Sequence, residues 1–452
     1  MAKICLLAVL LLSSADAARV FPLFPDSTLG VTQIVASQPE KRAIYLGSPS
    51  LLYLPSGTLL ASHDVFGAGA GMLVGTTCTL TSRDGGPFVP AGNASGIYWA
   101  TLFSRAGDSN AYLIGTSGDG RSSGHITIAR SGDEGATWDV ATLVADAKPF
   151  STGPTPVLQS GGRLWRAFEH NLGPWGSGYA SVVLSAAADA PDLLLPSAWT
   201  LSGGLPFASV APLVPANWSA APPPYAVAPN FGWLEGNAVE RDAGGLNGIY
   251  VLLRVNSPPA ANKAALLELA SPAGVPAFKA WVEPFWGGNS KFSVKRDAGT
   301  GLYVTLASAV AEPAAVSLPP ACGPVALPRG ELLPCCGFLE ACGGGGGGGA
   351  NATCVWCHAN SRNQLSLAVA KDAGGPWVLA GPPILYDDTG VPGFISEMST
   401  GFQYADWVFA GSDIVASVRA GYRGSNNYHN SNRHLLKVVA NWKSLVPPGL
   451  LA

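Results

Sequence analysis

The sequence predicts an all-β protein, a six-bladed β-propeller of four-stranded antiparallel blades, on three observations. Short runs of Val, Ile, Leu, Tyr and Thr recur between Gly, Pro, Asp and Asn along the chain, and no long helical pattern competes with them. Composition agrees: 48% of the 452 residues are hydrophobic and only 12% charged, while 56 Gly and 37 Pro favour turns over long charged helices. A short turn motif also repeats at near-constant spacing, the mark of a repeat architecture.

The chain opens with Lys3, an apolar run over residues 4–12, and the small residues of Ala15-Asp16-Ala17. These are the three parts of a secretory leader, so a signal peptide over 1–17 and a secreted mature protein starting near Ala18 are expected. The leader run is too short to span a bilayer, and no later stretch reaches ~18 uninterrupted apolar residues. Sequons for N-glycosylation at Asn93, Asn217 and Asn351 fit a secreted glycoprotein. A formal net charge of −3, with no Lys/Arg-rich run, argues against nucleic acid as a partner.

Strands or strand pairs are read over residues 50–63, 111–116, 125–130, 248–255 and 302–307. Ser131-Gly-Asp133-Glu-Gly135-Ala-Thr137-Trp138 is a full aspartate box. It is a turn device: Ser and Asp side chains bond backbone amides, Gly takes the unusual dihedral, and Trp packs the hairpin beneath. Degenerate copies stand at Ser82-Arg-Asp84-Gly-Gly86 and Ala370-Lys-Asp372-Ala-Gly374-Gly-Pro-Trp377, and an eroded one at Ser185 with Trp199 downstream. Starts at Ser82, Ser131 and Ser185 fall 49 and 54 residues apart, the length of one four-stranded blade. Six blades fit a single domain over 18–452, with five or seven left open.

Residues 308–360 break the pattern. They are rich in Ala, Pro, Gly and Cys, include seven consecutive glycines at 343–349, and read as an insertion. Cys322, Cys335, Cys336, Cys342, Cys354 and Cys357 crowd there and are read as local disulfides, leaving Cys78 as a buried free thiol. Cys354-Val-Trp-Cys357-His358 also matches the c-type haem attachment pattern, and the cluster has the residue types to hold zinc. An oxidising compartment makes disulfides the first reading, and no cofactor or metal is expected.

The boxes resemble those of sialidases and related BNR-repeat proteins, over most of the mature chain. Residues 48–64, from Ser48-Pro49-Ser50 to Ser62-His63-Asp64, are similar to that superfamily's first-blade strand pair. Gly232-Trp-Leu-Glu235-Gly-Asn237, Asn289-Ser-Lys291-Phe292 and Gly401-Phe-Gln-Tyr404-Ala-Asp406-Trp407 are similar to segments of microbial sialidase-like proteins. The resemblance implies a glycoside hydrolase acting on a glycan, an acidic sugar among the candidates. Such an enzyme uses a tyrosine nucleophile activated by a glutamate, a separate acid/base carboxylate, and arginines that clamp the substrate carboxylate.

By that resemblance Tyr404 is the nucleophile, Glu235 its base and Arg254 the second clamp arginine; Asp64 is the candidate acid/base. His63, Lys291, Asp406, Arg419 and His429 complete the expected substrate-binding set. One departure stands out: the family's arginine two residues before the first-blade proline is Gly47 here. Arg419, expected on the last blade, is the candidate to supply across the ring closure what Gly47 lacks. Two other functions stay open, a non-catalytic propeller that binds glycan or protein, and a polysaccharide lyase working through His63 or His429 with a tyrosine.

Overall fold

The computed structural model describes residues 31–451 except 32, 38–42, 72–73, 119–123, 220–230, 242–247, 257–260, 288–289, 311–324, 327–331, 334–360, 392, 424 and 426. The expected leader, Asn351, the six clustered cysteines and the glycine run lie outside the described residues.

Six antiparallel sheets follow one another along the chain. Blade 1 is Tyr45–Tyr53, Leu59–Phe66, Thr76–Ser82 and Val89–Ser95; blade 2 is Tyr98–Phe103, Ala111–Thr116, Ile126–Ser131 and Asp139–Val144. In blade 3 the innermost place is shared by Phe150–Ser151 and Leu158–Ser160, followed by Arg163–Asn171, Tyr179–Ala187 and Trp199–Leu201. Blade 4 is Gly232–Glu240, Ile249–Asn256, Ala264–Leu269 and Ala277–Val282. Blade 5 is Ser293–Arg296, Tyr303–Ala307, Gln364–Ala370 and Val378–Leu379. Blade 6 takes Gly401–Ala410, Asp413–Gly421 and Arg433–Val439 from the end of the chain and Gln33–Ser37 from its start. That last strand pairs antiparallel with Arg433–Val439, so the ring is closed by backbone hydrogen bonds between the two ends of the described chain.

Each blade is sandwiched between two others, which explains why middle strands such as Ala111–Thr116 are buried at every position rather than alternating. The outermost strands Val89–Ser95 and Asp139–Val144 are largely open to solvent. Between blades 1 and 2, Leu60 packs with Leu102 and Leu113; between blades 6 and 1, Val35 and Leu436 pack with Leu51 and Leu59. The other four junctions hold their own apolar clusters, so the core is six wedges and not one ball.

Polar side chains on or beside the inner strands stitch the hub. Ser50 Oγ donates to Asp406 at 2.6 Å, joining blades 1 and 6, and accepts the Leu102 amide of blade 2 at 2.9 Å. Thr101 Oγ1 donates to the Thr155 carbonyl at 2.8 Å, and Thr155 Oγ1 to the Gly236 carbonyl at 2.9 Å. Asn237 Oδ1 accepts the Val294 amide at 3.1 Å, and Ser293 Oγ donates to the Ala405 carbonyl at 2.5 Å. One side-chain link thus spans every junction, which satisfies the polar groups that a narrow axis buries.

The aspartate box behaves as its residues dictate. Asp133 accepts the Thr137 amide at 2.9 Å, Ser131 Oγ accepts the Gly135 amide at 2.8 Å, Gly135 sits at φ 91°, and Trp138 Nε1 donates to the Gly135 carbonyl at 3.0 Å. The box and its three weaker copies all join the third and fourth strands of a blade, in blades 1, 2, 3 and 5. The expected insertion leaves between the second and third strands of blade 5, with Val325–Ala326 pairing Leu332–Leu333 inside it. Cys78 is free but half-buried, not fully buried as expected, because the strand carrying it is followed by the outermost strand of its blade. Among the described residues no helix is long and apolar enough to cross a membrane.

Candidate active site

The inner strands of blades 1, 2, 4 and 6 each carry a bulge, where the register slips between Gly47 and Ser50, Tyr98 and Thr101, Leu234 and Asn237, and Gln403 and Asp406. Every bulge holds one non-glycine residue in the left-handed region: Ser48 at φ 40°, Trp99 at 51°, Glu235 at 46° and Tyr404 at 53°. That conformation costs a side-chain-bearing residue roughly 1–2 kcal/mol, and bulges re-aim side chains that regular pleating would send elsewhere.

At two of these bulges the result is a direct contact across the hub. The Tyr404 hydroxyl of blade 6 donates to Glu235 Oε1 of blade 4 at 2.9 Å. Arg254, beside Glu235 on the next strand, donates from Nη1 to Oε2 at 2.7 Å. Burial alone raises a carboxyl pKa, but the charge and bond of Arg254, with help from Tyr404 and Arg362, hold Glu235 below its ordinary value. Burial likewise opposes the Arg254 charge, and Glu235 outweighs it, so that pKa is raised. Burial and then Glu235 raise the Tyr404 phenol, while Arg254, Arg362 and Arg419 pull it back in part.

Two more guanidinium groups face the same phenol. Arg419 of blade 6 lies 5.0 Å from the Tyr404 ring centre and 4.6 Å from that of Phe66, and its Nε donates to Ser431 at 3.1 Å. Arg362 lies 5.9 Å from the Tyr404 ring and 5.2 Å from the Tyr428 ring, with Nη1 donating to Gln403. Arg362 is absent from the expected set, since it directly follows the insertion and no local motif marks it.

Asp64 sits opposite Gly47 on the neighbouring strand and accepts the Trp99 amide at 3.1 Å. Burial pushes its pKa up to about 6, against bonds from Ser48 and Trp99 and the charge of Arg419. A Cβ on Gly47 would lie 2.0 Å from Asp64 Oδ1. The missing side chain at 47 and the carboxylate at 64 are therefore one arrangement, since the carboxylate fills the space that an arginine stem would need.

His429 stands at the open rim, its ring edge-on to Phe66 at 5.3 Å. Neighbouring protein, then the charges of Arg419 and Arg362, lowers its pKa although the residue itself is open to solvent. Three expected substrate contacts are not brought to the rim. Asp406 is taken up by Ser50, the Leu51 and Trp407 amides and Lys295. His63 turns to the closing blade, edge-on to His434 at 5.9 Å. Lys291 lies under Tyr404, 5.9 Å from its ring, bonded to Ser293 and the Ala405 carbonyl, and burial lowers its pKa to about 7.

Glu169, a second residue that sequence reasoning missed, adjoins this group. Its Oε1 accepts the Gly236 amide at 2.8 Å, and burial, with the nearby Glu235 charge adding to it, pushes its pKa up to about 7. It sits within the strand Arg163–Asn171, where no motif marks it. A recess of about 370 Å³ lies elsewhere, lined by Arg105, Asp108, Arg130 and Asp189; both of its arginines are already paired, Arg105 with Asp108 at 2.6 Å and Arg130 with Asp192 at 3.2 Å.

No family model matches the sequence, and no curated protein matches it. Among solved structures, the α-L-arabinanase of Penicillium chrysogenum complexed with arabinobiose is similar at 13% identity and TM-score 0.51, over 92% of this chain and 98% of that one. The α-L-arabinofuranosidase of Fusarium graminearum with an iminosugar inhibitor is similar at 11% identity and TM-score 0.50, over 90% and 97%. The NanB sialidase of Streptococcus pneumoniae gives 11% identity and TM-score 0.49, over 92% and 71%. At these identities the likeness is one of architecture, and the fold of this chain is a six-bladed β-propeller.

Proposed function

We propose that the protein is an exported glycoside hydrolase acting on a glycan that carries an acidic sugar, with Tyr404 as nucleophile. The observation that carries this reading is the bonded series Tyr404–Glu235–Arg254 ringed by Arg362 and Arg419. A phenol is a poor nucleophile until a base takes its proton, and an ionised Glu235 at 2.9 Å is placed to do so. Arg254 is neutralised by Glu235, which leaves Arg362 and Arg419 in cationic surplus. A neutral sugar would leave those buried guanidinium groups with no counter-charge beyond Asp64, the proton donor of the reaction, whereas a carboxylate accepts paired bonds from them. In this proposal Arg419 stands in for the arginine that Gly47 replaces.

Tyr404 Oη attacks the anomeric carbon as Glu235 accepts its proton, and protonated Asp64 gives its proton to the leaving oxygen. Water then attacks the glycosyl-tyrosine, Asp64 accepts the water proton, and Glu235 returns the first proton to the phenolate. The test is release of 4-methylumbelliferone from its sialoside, uronide and arabinoside derivatives. Wild type is expected to cleave an acidic member, and Tyr404→Phe and Glu235→Gln to lose at least 10²-fold. Cleavage of acidic members that survives both substitutions would overturn the reading.

A second reading rests on Glu169. Two adjacent carboxyl groups with pKa values pushed apart, Glu235 down and Glu169 up to about 7, match the base-and-acid pair of two-carboxylate glycoside hydrolysis. The arabinan-degrading enzymes of the same architecture make a neutral furanoside its natural substrate class. Cleavage of the arabinoside alone, abolished by Glu169→Gln, would select it.

A further inference from the structure

The four bulges form a set, and three of their left-handed residues already have a place: Glu235 and Tyr404 meet each other, and Ser48 bonds Asp64. The fourth is Trp99. Tryptophan has no intrinsic reason to adopt φ 51°, since a bulky side chain gains nothing from the left-handed region. Nor does the core explain it. The other described tryptophans, Trp175 apart, join a junction cluster or pack on a ring that does, while Trp99 is half-buried, joins none of these clusters and has its ring 5.4 Å from that of Tyr98. Tyr98 is in turn an electrostatic neighbour of Arg419, and the Trp99 amide holds Asp64 at 3.1 Å. The backbone of Trp99 is therefore tied to the Asp64 carboxylate, and its half-buried ring stands beside Tyr98.

We infer that Trp99 is a specificity-determining residue whose ring forms the stacking platform for the leaving-group sugar. The inference rests on the acidic-sugar reading above, and in particular on Asp64 as the acid, because the group that protonates the leaving oxygen fixes the side on which the leaving sugar lies. A pyranose offers a C–H face to a flat aromatic ring, and such contacts discriminate by shape and not by charge. The strain held at the bulge is then the local cost of presenting a large flat ring to ligand in place of the core.

The experiment is calorimetric titration of 3′-sialyllactose and of free N-acetylneuraminic acid into the full chain, on the Tyr404→Phe background so that no turnover intervenes. Trp99→Asn removes the ring with a residue that tolerates the left-handed backbone and keeps the amide to Asp64; Trp99→Phe restores a smaller ring. The expected result is about tenfold weaker trisaccharide binding in Trp99→Asn, partial recovery in Trp99→Phe, and monosaccharide affinity within about twofold throughout. Equal loss for both ligands in a folded Trp99→Asn variant, or no loss for either, would overturn the platform while leaving the acidic-sugar reading intact. Failure of the Trp99-intact protein to bind either ligand would instead rule out a sialoside as the acidic glycan, and the platform for its leaving sugar with it.

Discussion

At the residue scale, the chemistry of this protein is set by which charges are paired. Glu235 is ionised because Arg254 touches it, and Asp64 is poised near neutrality because burial outweighs its partners. An acid that must be protonated to act loses activity as pH rises through its pKa. Hydrolysis of an acidic glycan should therefore fall as pH rises through about 6, and a kcat/KM profile of Asp64→Asn should lack that limb; an unchanged limb would assign the acid elsewhere. The Gly47–Asp64 pair makes a second prediction. Gly47→Arg alone should destabilise by about 1–3 kcal/mol through overpacking, and Gly47→Arg with Asp64→Gly should recover part of it in a urea-unfolding double-mutant cycle. Additive costs would mean that the two positions do not share one space.

Residues differ in how legible they were. Glu235, Arg254 and Tyr404 lie in segments whose family resemblance is readable, and they do meet. Arg362 and Glu169 sit in stretches that carry no motif, so only three-dimensional closure reveals them. Asp406 lies in the same family-like segment as Tyr404, but the bulge between them turns it into the hub, where Ser50 and Lys295 take its charge.

At the element scale, strands and aspartate boxes were legible because β-rich runs bounded by turn residues, and turn chemistry itself, are local. Bulges were not, since one extra residue in a strand leaves no compositional trace while reversing which side chains face the axis. The closing strand Gln33–Ser37 was also invisible, being short and paired with residues at the other end of the chain. Its burial makes a sharp prediction. Val35 is 4% exposed within the blade 6–blade 1 cluster, whereas Ile34 next to it is 38% exposed. Val35→Asp should cost several kcal/mol by burying an unpaired carboxylate, and Ile34→Asp less than about 0.5. Equal effects in thermal unfolding would mean that the strand does not close the ring.

At the scale of the whole molecule, the spacing of the aspartate boxes was enough to predict repeated blades, and closure settles their number at six. Ring architecture also sets how stability depends on pH, because the hub buries titratable groups of both signs. Asp64 and Glu169 have folded pKa values raised to about 6 and about 7, so the folded state holds their protons longer and stability falls as pH rises through that window. Lys291 is lowered to about 7, so the unfolded state holds its proton longer and stability rises above that pH. His63, His429 and His434, with lowered pKa values, act in the opposite sense on the acid side, so the readout is a difference: the urea midpoint of Glu169→Gln relative to wild type should rise with pH between the ordinary carboxylate range and about 7. A difference independent of pH would contradict the raised pKa of Glu169.

The central claim is that a wheel of six blades brings a tyrosine from blade 6 and a glutamate from blade 4 into one nucleophilic pair. Peptide mass mapping after incubation with a 2,3-difluorosialic acid, which traps a glycosyl-enzyme, tests it most directly. The account predicts a covalent sugar on the peptide containing Tyr404, lost in Tyr404→Phe. A sugar on Glu235 or Glu169, or none on a wild-type protein that cleaves the matching sialoside, would contradict it.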